Sequence, residues 1–439
     1  MLKYTNQSAF NGSEVSDMKK YLAVYTYFRD KILNGQLKYR DQLPSIREAS
    51  KLFSVSKTTI ENAYFELQAE GYILSSPKSG FFVSYRKKTK ESVKKEETGE
   101  KRKIRYDLKS GDADRESFDI RLWHRYINSA LRQEDRLCSY SEPQGEEDLR
   151  DAISEYIRKK RNIITSPDRI VVGAGIKTLM HIICGIIDER GTVSFPDSSF
   201  RQGISTFETY GFTVHTRDKD ADIIYVSPSH MTMFGDVMPV KRRMELIGYS
   251  EKKGSLVIED DIDNDFLYSN RKPTPSLFAL SSADNIIYMS SFANVLTPGI
   301  RISFMVLPES LSEIFRERKE NFAQTASKTE QIALCGYIRD GHLGAQTRKI
   351  RRHYTQKTQE FLELLKEKIP DAEYILSENG LQIRMIKDFS KDRSAFRKES
   401  VDVYIENIEN GKIKLIISPS AIEASDMEGA FDALKRAIN

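Results

Sequence analysis

The chain has 439 residues, 39% of them hydrophobic and 30% charged, which allows two or three soluble globular domains with a sizeable core. No apolar stretch approaches the roughly 18 residues needed to cross a bilayer. The N-terminal MLKYTNQSAFNGSEVSD lacks a basic region followed by an apolar one, so neither a membrane span nor a secretory leader is expected. Charge is uneven: residues 1–103 hold 20 Lys and Arg against 12 Asp and Glu, while the remainder hold 48 against 52. A basic N-terminal part on an acidic body is the asymmetry of a nucleic-acid-binding head, or of a solvated surface with a basic linker. Three cysteines lie far apart with no CxxC, which predicts free buried thiols and a cytoplasmic location, and the six histidines lack zinc-ligand spacing.

Pattern separates the two charge readings. In YLAVYTYFRDKILNG, Leu22, Tyr25, Phe28 and Ile32 recur at three- and four-residue steps, predicting an amphipathic helix that stops near Gly35. In LPSIREASKLF, Ser45 and Glu48 form a capping-box pair that starts a second helix. Ser56 caps a third, with Ile60, Ala63, Tyr64 and Leu67 as its buried stripe and Gly71 as its end. YILSS, PKSG and FFVSY then read as strand, turn and strand. Three helices and a hairpin make a winged helix-turn-helix.

LPSIREASKLF, VSKTTIENAYFELQAEGYI and SGFFV resemble the DNA-binding domain of the GntR regulators. The resemblance implies that the recognition helix presents Ser56, Lys57, Thr58, Thr59 and Asn62 to the major groove of double-stranded DNA, with Arg47 reaching the groove or its phosphates. Lys78, Ser79 and Gly80 would form the wing tip, where glycine permits close backbone approach. Lys57 stands where the family often has Arg, which weakens a bidentate guanine contact. The expected head spans residues 17–85. Residues 86–105, RKKTKESVKKEETGEKRKIR, are too polar to fold and read as a charged linker.

From residue 106 the chain reads as alternating strands and helices. DRIVVGAGIKTLMHIICGII is a strand, a small-residue turn and an apolar helix. GSLVIEDDIDNDFLY carries an acidic run whose alternating Asp261, Asp263 and Asp265 suggest a calcium loop, but Phe266 and Lys272 stand where such a loop needs Gly and Glu. Farther on, YMSSFANVLTPGIRISF joins two apolar runs through a turn.

This last segment resembles the cofactor-lysine segment of fold-type I pyridoxal-phosphate (PLP) enzymes, in the version carried by the MocR branch of the GntR regulators. Ser291, Phe292, Ala293, Asn294, Pro298 and Arg301 fall on the pattern, and Asn294 takes the lysine's place. The implied fold is α/β: a winged helix-turn-helix followed by an aminotransferase-like domain over 106–439. That domain has a mostly parallel seven-stranded sheet flanked by helices (large part about 138–320) and a small α+β part (about 345–439).

Carried over by motif, Gly175, Ile176 and Lys177 at a helix start would hold the cofactor phosphate, with Ser291 and Arg301. Phe200 would stack on the ring, and His230 retains the Pro-Ser-His motif. Asp260 would pair with the pyridine nitrogen. Ile262 replaces the family's Tyr, Met231 its Gln, and Met233 its Pro. The family's small part supplies an Arg for a substrate carboxylate, and only Lys412 or Lys414 remains for that role.

The amide nitrogen of Asn294 has its lone pair delocalised, so it can neither condense with an aldehyde nor carry protons. The expectation is a transcription regulator, not an enzyme: a homodimer on paired half-sites, without covalent PLP. Its pocket either takes non-covalent PLP or another anionic small-molecule effector, or serves only as a dimerisation scaffold. A PLP-dependent aminotransferase is the alternative.

Overall fold

The computed structural model describes residues 17–76, 79–85, 104–109, 116–261 and 274–439. Lys78, Ile262 and linker residues 86–103 lie outside the described residues. The chain divides into two compact units, Met1–Lys101 and Arg102–Asn439.

In the first unit, helices α1 (Asp17–Leu33), α2 (Ile46–Phe53) and α3 (Lys57–Ala69) precede an antiparallel hairpin of β1 (Ile73–Ser76) and β2 (Gly80–Val83). Ser45 and Glu48 form the anticipated capping box, and Ser56 caps α3 by accepting from the Thr59 N–H. Phe28 centres an aromatic cluster, edge-on to Phe53 and Tyr64 at 5.6 Å each. Ile60, Ala63, Tyr64 and Leu67 are buried against it, as their spacing predicts, together with Val24, Tyr25 and Ile32 of α1. Leu22 departs from the expected stripe: it is 51% exposed, and Val24 takes the inward position.

The second unit begins with β3 (Tyr106–Asp107), α4 (Ile120–Leu131), α5 (Glu134–Leu137) and α6 (Glu147–Arg161). Its central layer comprises β4 (Ile170–Gly173), α7 (Ile176–Ile186), β5 (Thr192–Phe195), α8 (Arg201–Thr209), β6 (Thr213–Thr216) and β7 (Ile223–Val226). The layer continues through α9 (Val240–Lys253), β8 (Leu256–Asp260), α10 (Leu277–Leu280), β9 (Ile286–Ser291) and β10 (Ser303–Val306). These strands form a seven-stranded sheet in the order β4-β10-β9-β8-β7-β5-β6. β10 alone runs antiparallel to its neighbours, because the short turn after β9 returns the chain directly instead of through a crossover helix. The strands read as continuous Val, Ile and Leu runs because helices cover both sheet faces.

Helices α11 (Glu309–Arg318), α12 (Lys328–Arg339) and the long α13 (His342–Lys368) lead to the small part. There β11 (Glu373–Leu376), β12 (Ile383–Asp388), α14 (Ser394–Lys398), β13 (Val401–Asp402), β14 (Tyr404–Glu409), β15 (Lys412–Ile417) and α15 (Met427–Ile438) enclose their own apolar core. Its antiparallel sheet has the order β11-β12-β15-β14. β3 pairs with β13, and the Ser418 N–H donates to the Leu108 carbonyl, so the start of this unit is tied to its closing strands.

Gly145 shows how tightly the loop before α6 is packed. With φ at +102°, an added Cβ would lie 2.7 Å from Val172 Cβ, so no side chain fits. Leu149 and Arg150 are buried just behind it, and Arg150 donates to the carbonyls of Gly145 and Pro167, a structural role. Cys184 and Cys335 are buried free thiols, whereas Cys138 is exposed, contrary to the expectation that all three are buried.

Candidate functional site

On α3 the buried residues leave Lys57, Thr58, Glu61, Asn62 and Phe65 exposed on the opposite side. Thr59 differs from the sequence expectation. It is 5% exposed, and its hydroxyl lies 2.7 Å from Ser56 Oγ, so it completes the helix cap instead of facing outward. Ser56 is itself committed to that cap. Arg47 is exposed on α2 and α3 follows within a few residues, the spacing of a helix-turn-helix. At the wing, Gly80 has φ +98°, and Gln42 Nε2 donates to the Ser79 carbonyl at 2.7 Å. Gln42 therefore holds the wing tip, a role that no local sequence signal discloses.

In the body, strand alternation organises the acidic run at the end of β8. Glu259 and Asp261 point to one sheet face and Asp260 to the other. Asp261 is buried against Arg161 Nε at 2.7 Å and accepts from the Ser229 and Tyr288 hydroxyls. Glu259 accepts from the Leu277 and Phe278 N–H groups, at the first turn of α10. Burial, and then the charge of Asp261, push its carboxyl up to about 7. Nearby, Arg243 is fully buried and donates to the carbonyls of Met238, Pro275 and Pro228.

Asp260, on the opposite face, lines a cavity of about 360 Å³. The Tyr225 hydroxyl donates to its carboxylate, and burial followed by the Asp260 charge pushes that phenol well above its usual range. Phe200 stacks on Tyr225 with ring centroids 5.5 Å apart. Phe200, His230, Met231, Met233 and Asn294 line the same space. From the small part come Tyr354, Gln382, Tyr404, Ile416, Ser418 and Ser420, and from the segment after β3 comes Lys109.

The other expected ligand residues sit elsewhere. Gly175, with φ +94°, lies under Arg301: an added Cβ would be 2.6 Å from the guanidinium Nη2. The two are neighbours, as a shared anion site requires, but neither lines the cavity. Ile176 packs on the apolar core and Lys177 is exposed on the first turn of α7. Ser291 accepts from the Ser303 hydroxyl across the β9–β10 pair and lines a separate small cleft with Arg161 and Asp261. Lys412 and Lys414 do not line the cavity; Ile416, farther along the same strand, does.

The geometry defines a two-part protein: a winged helix-turn-helix head and a body built like an aminotransferase, with Asn294 in the wall of its cavity. Residues 20–83 match the family described as bacterial regulatory proteins, gntR family, and residues 106–410 match aminotransferase class I and II. The chain belongs to the aminotransferase class I and II family through its body, joined to a gntR-family head, and is a DNA-binding transcription regulator of the GntR/MocR type.

Among its relatives, the uncharacterized HTH-type transcriptional regulator YdeL of Bacillus subtilis (strain 168) is 29% identical over 388 residues, 84% of each chain. The probable rhizopine catabolism regulatory protein MocR of Rhizobium meliloti is 24% identical over 410 residues, covering 86% of this chain and 83% of its own. Among solved structures, Pyrococcus horikoshii kynurenine aminotransferase superposes with a TM-score of 0.65 at 19% identity, over 78% of this chain and 91% of its own, a likeness of fold.

Proposed function

We propose that the body is a non-catalytic sensor whose cavity binds a small planar, anionic ligand without a covalent bond. The observation that carries this reading is Asn294 lining the cavity together with Asp260 and Phe200. Phe200 and the buried carboxylate of Asp260 offer a ring-binding wall, while Asn294 offers no amine for imine formation at its own position. Among the described residues Lys109 is the one lysine in the lining, and it comes from the segment after β3, a different part of the fold from Asn294. PLP, when bound, would supply an electron sink. Asp260 would face its ring nitrogen and Phe200 its ring, whereas Arg301 and Gly175, the neighbouring pair expected at its phosphate, lie outside the cavity lining.

In this reading residues 17–85 form the head, 86–105 the linker and 106–439 the body, and the protein acts in the cytoplasm as a homodimer on paired half-sites. No helix among the described residues is long and apolar enough to cross a membrane. Ligand binding alters DNA occupancy by favouring one arrangement of the heads, which requires different affinity for the two arrangements.

The test is titration of the full chain with PLP, followed by calorimetry, visible absorbance, borohydride reduction and intact mass. Saturable heat without an imine band or a reduced adduct is the expected result. A mass increase matching one reduced cofactor would overturn the non-covalent reading, and the absence of any binding would favour a dimerisation scaffold.

A further inference from the structure

The outward face of α3 contains an acidic residue that DNA binding leaves unexplained. Thr58, Glu61, Asn62 and Phe65 follow at helical spacing within an arc of about 100° opposite the buried stripe. Phe65, on the same arc, is 70% exposed. Glu61 is exposed, and no described residue forms a hydrogen bond or ion pair with it, Lys57 one turn back included. A carboxylate turned toward DNA is repelled by the phosphates unless it meets a donor.

The major groove offers two base donors, cytosine N4–H₂ and adenine N6–H₂. Adenine places the N7 acceptor beside its amine, which repels a carboxylate, whereas cytosine has only a C–H at the adjacent ring position. We propose that Glu61 accepts from a cytosine N4 amine and makes a C·G pair obligatory at one position of each half-site. This rests on the head being the sequence reader. Glu61 then acts as a selector: it gains one charge-assisted hydrogen bond on the right base and keeps its repulsion on every other.

The experiment selects duplexes from a random pool with the full-length protein and with Glu61→Ala, which keeps no acceptor, then titrates both on the enriched site. A second duplex carries 2-pyrimidinone, which lacks the N4 amine, in place of the selected cytosine. Because Glu61 is exposed, the variant should melt with the wild type. Wild type is expected to enrich a C·G pair and to lose about tenfold or more in affinity on the amine-less base. Glu61→Ala should lose the cytosine requirement and change less than about twofold between the two duplexes. If Glu61→Ala enriches the same sites with the same dependence on the amine, the assignment fails while the head remains the reader. If wild type enriches no sequence at all, the reading of the head fails and this inference with it.

Discussion

The two parts of the molecule deploy polar chemistry in opposite ways. In the head the core is apolar and aromatic, and Lys57, Thr58 and Asn62, assigned to DNA, stand exposed on α3. In the body, Arg161, Arg243, Glu259, Asp260 and Asp261 are all buried around the end of β8. Exposed side chains can change with little effect on folding, so the head can alter its target while its scaffold stays constant. A buried charge cluster allows no such freedom, because removing one member leaves its partner desolvated and unpaired. The comparison also separates cavity from scaffold within the body: Asn294 lines open space, whereas Asp261 is packed against Arg161.

The largest effect that would break this contrast is expected at Asp261. Asp261→Ala removes the ion pair to Arg161 and two hydroxyl bonds, and should destabilise the body by about 3–5 kcal/mol in urea unfolding followed by far-UV dichroism. A change under about 1 kcal/mol would mean that the cluster is not a stability element. In the head the same logic predicts function lost and stability retained. Lys57→Ala combined with Thr58→Ala should weaken binding to the selected site on the order of a hundredfold in fluorescence anisotropy, with the melting temperature nearly unchanged. Wild-type footprints from that variant would remove these residues from the interface.

Legibility followed the range of the signals. The head's caps and stripe were readable because Ser45–Glu48 and Ser56–Thr59 act within one helical turn. Even there Thr59 reads outward yet turns inward, since a threonine at the third residue of a helix serves a cap or a groove equally well by sequence alone. In the body, the strand–turn–strand around Asn294 and the position of Asp260 were readable from motif. Tyr225 was not, because a tyrosine inside an apolar strand looks like core, and only the fold brings its hydroxyl to Asp260. Lys109 and Tyr354 are separated from Asn294 by 185 and 60 positions in the numbering, so their meeting at one cavity depends on long-range topology.

A smaller effect sharpens the contrast through pH. The carboxyl of Glu259 is raised to about 7, by burial first and the Asp261 charge second. Its folded-state pKa thus lies above the unfolded value near 4.5, and the folded protein holds the extra proton between the two. Stability from this group is therefore greatest at low pH, falls as pH rises from about 4.5 to about 7, and is flat above that. Unfolding followed from pH 5.5 to 8 should show a decline of about 1–2 kcal/mol that Glu259→Gln largely abolishes. A slope unchanged in the variant would assign the titration to another group.

The smallest effect concerns the cap that both helix-turn-helix geometry and DNA contact share. Ser56 Oγ accepts from the Thr59 N–H at 3.1 Å, and the two hydroxyls lie 2.7 Å apart. Ser56→Ala removes one partner of the first-turn N–H groups and should cost about 1 kcal/mol of head stability. Ser56→Asp keeps a capping acceptor and adds negative charge favourable at a helix start. It should retain the head's melting temperature yet weaken DNA binding through phosphate repulsion, with a measurably altered salt dependence. Separating the two readouts distinguishes a residue that only starts the helix from one that also touches DNA. Equal DNA affinity for Ser56→Asp and wild type, with melting preserved, would confine Ser56 to the cap and leave Lys57 as the first residue of α3 in the groove.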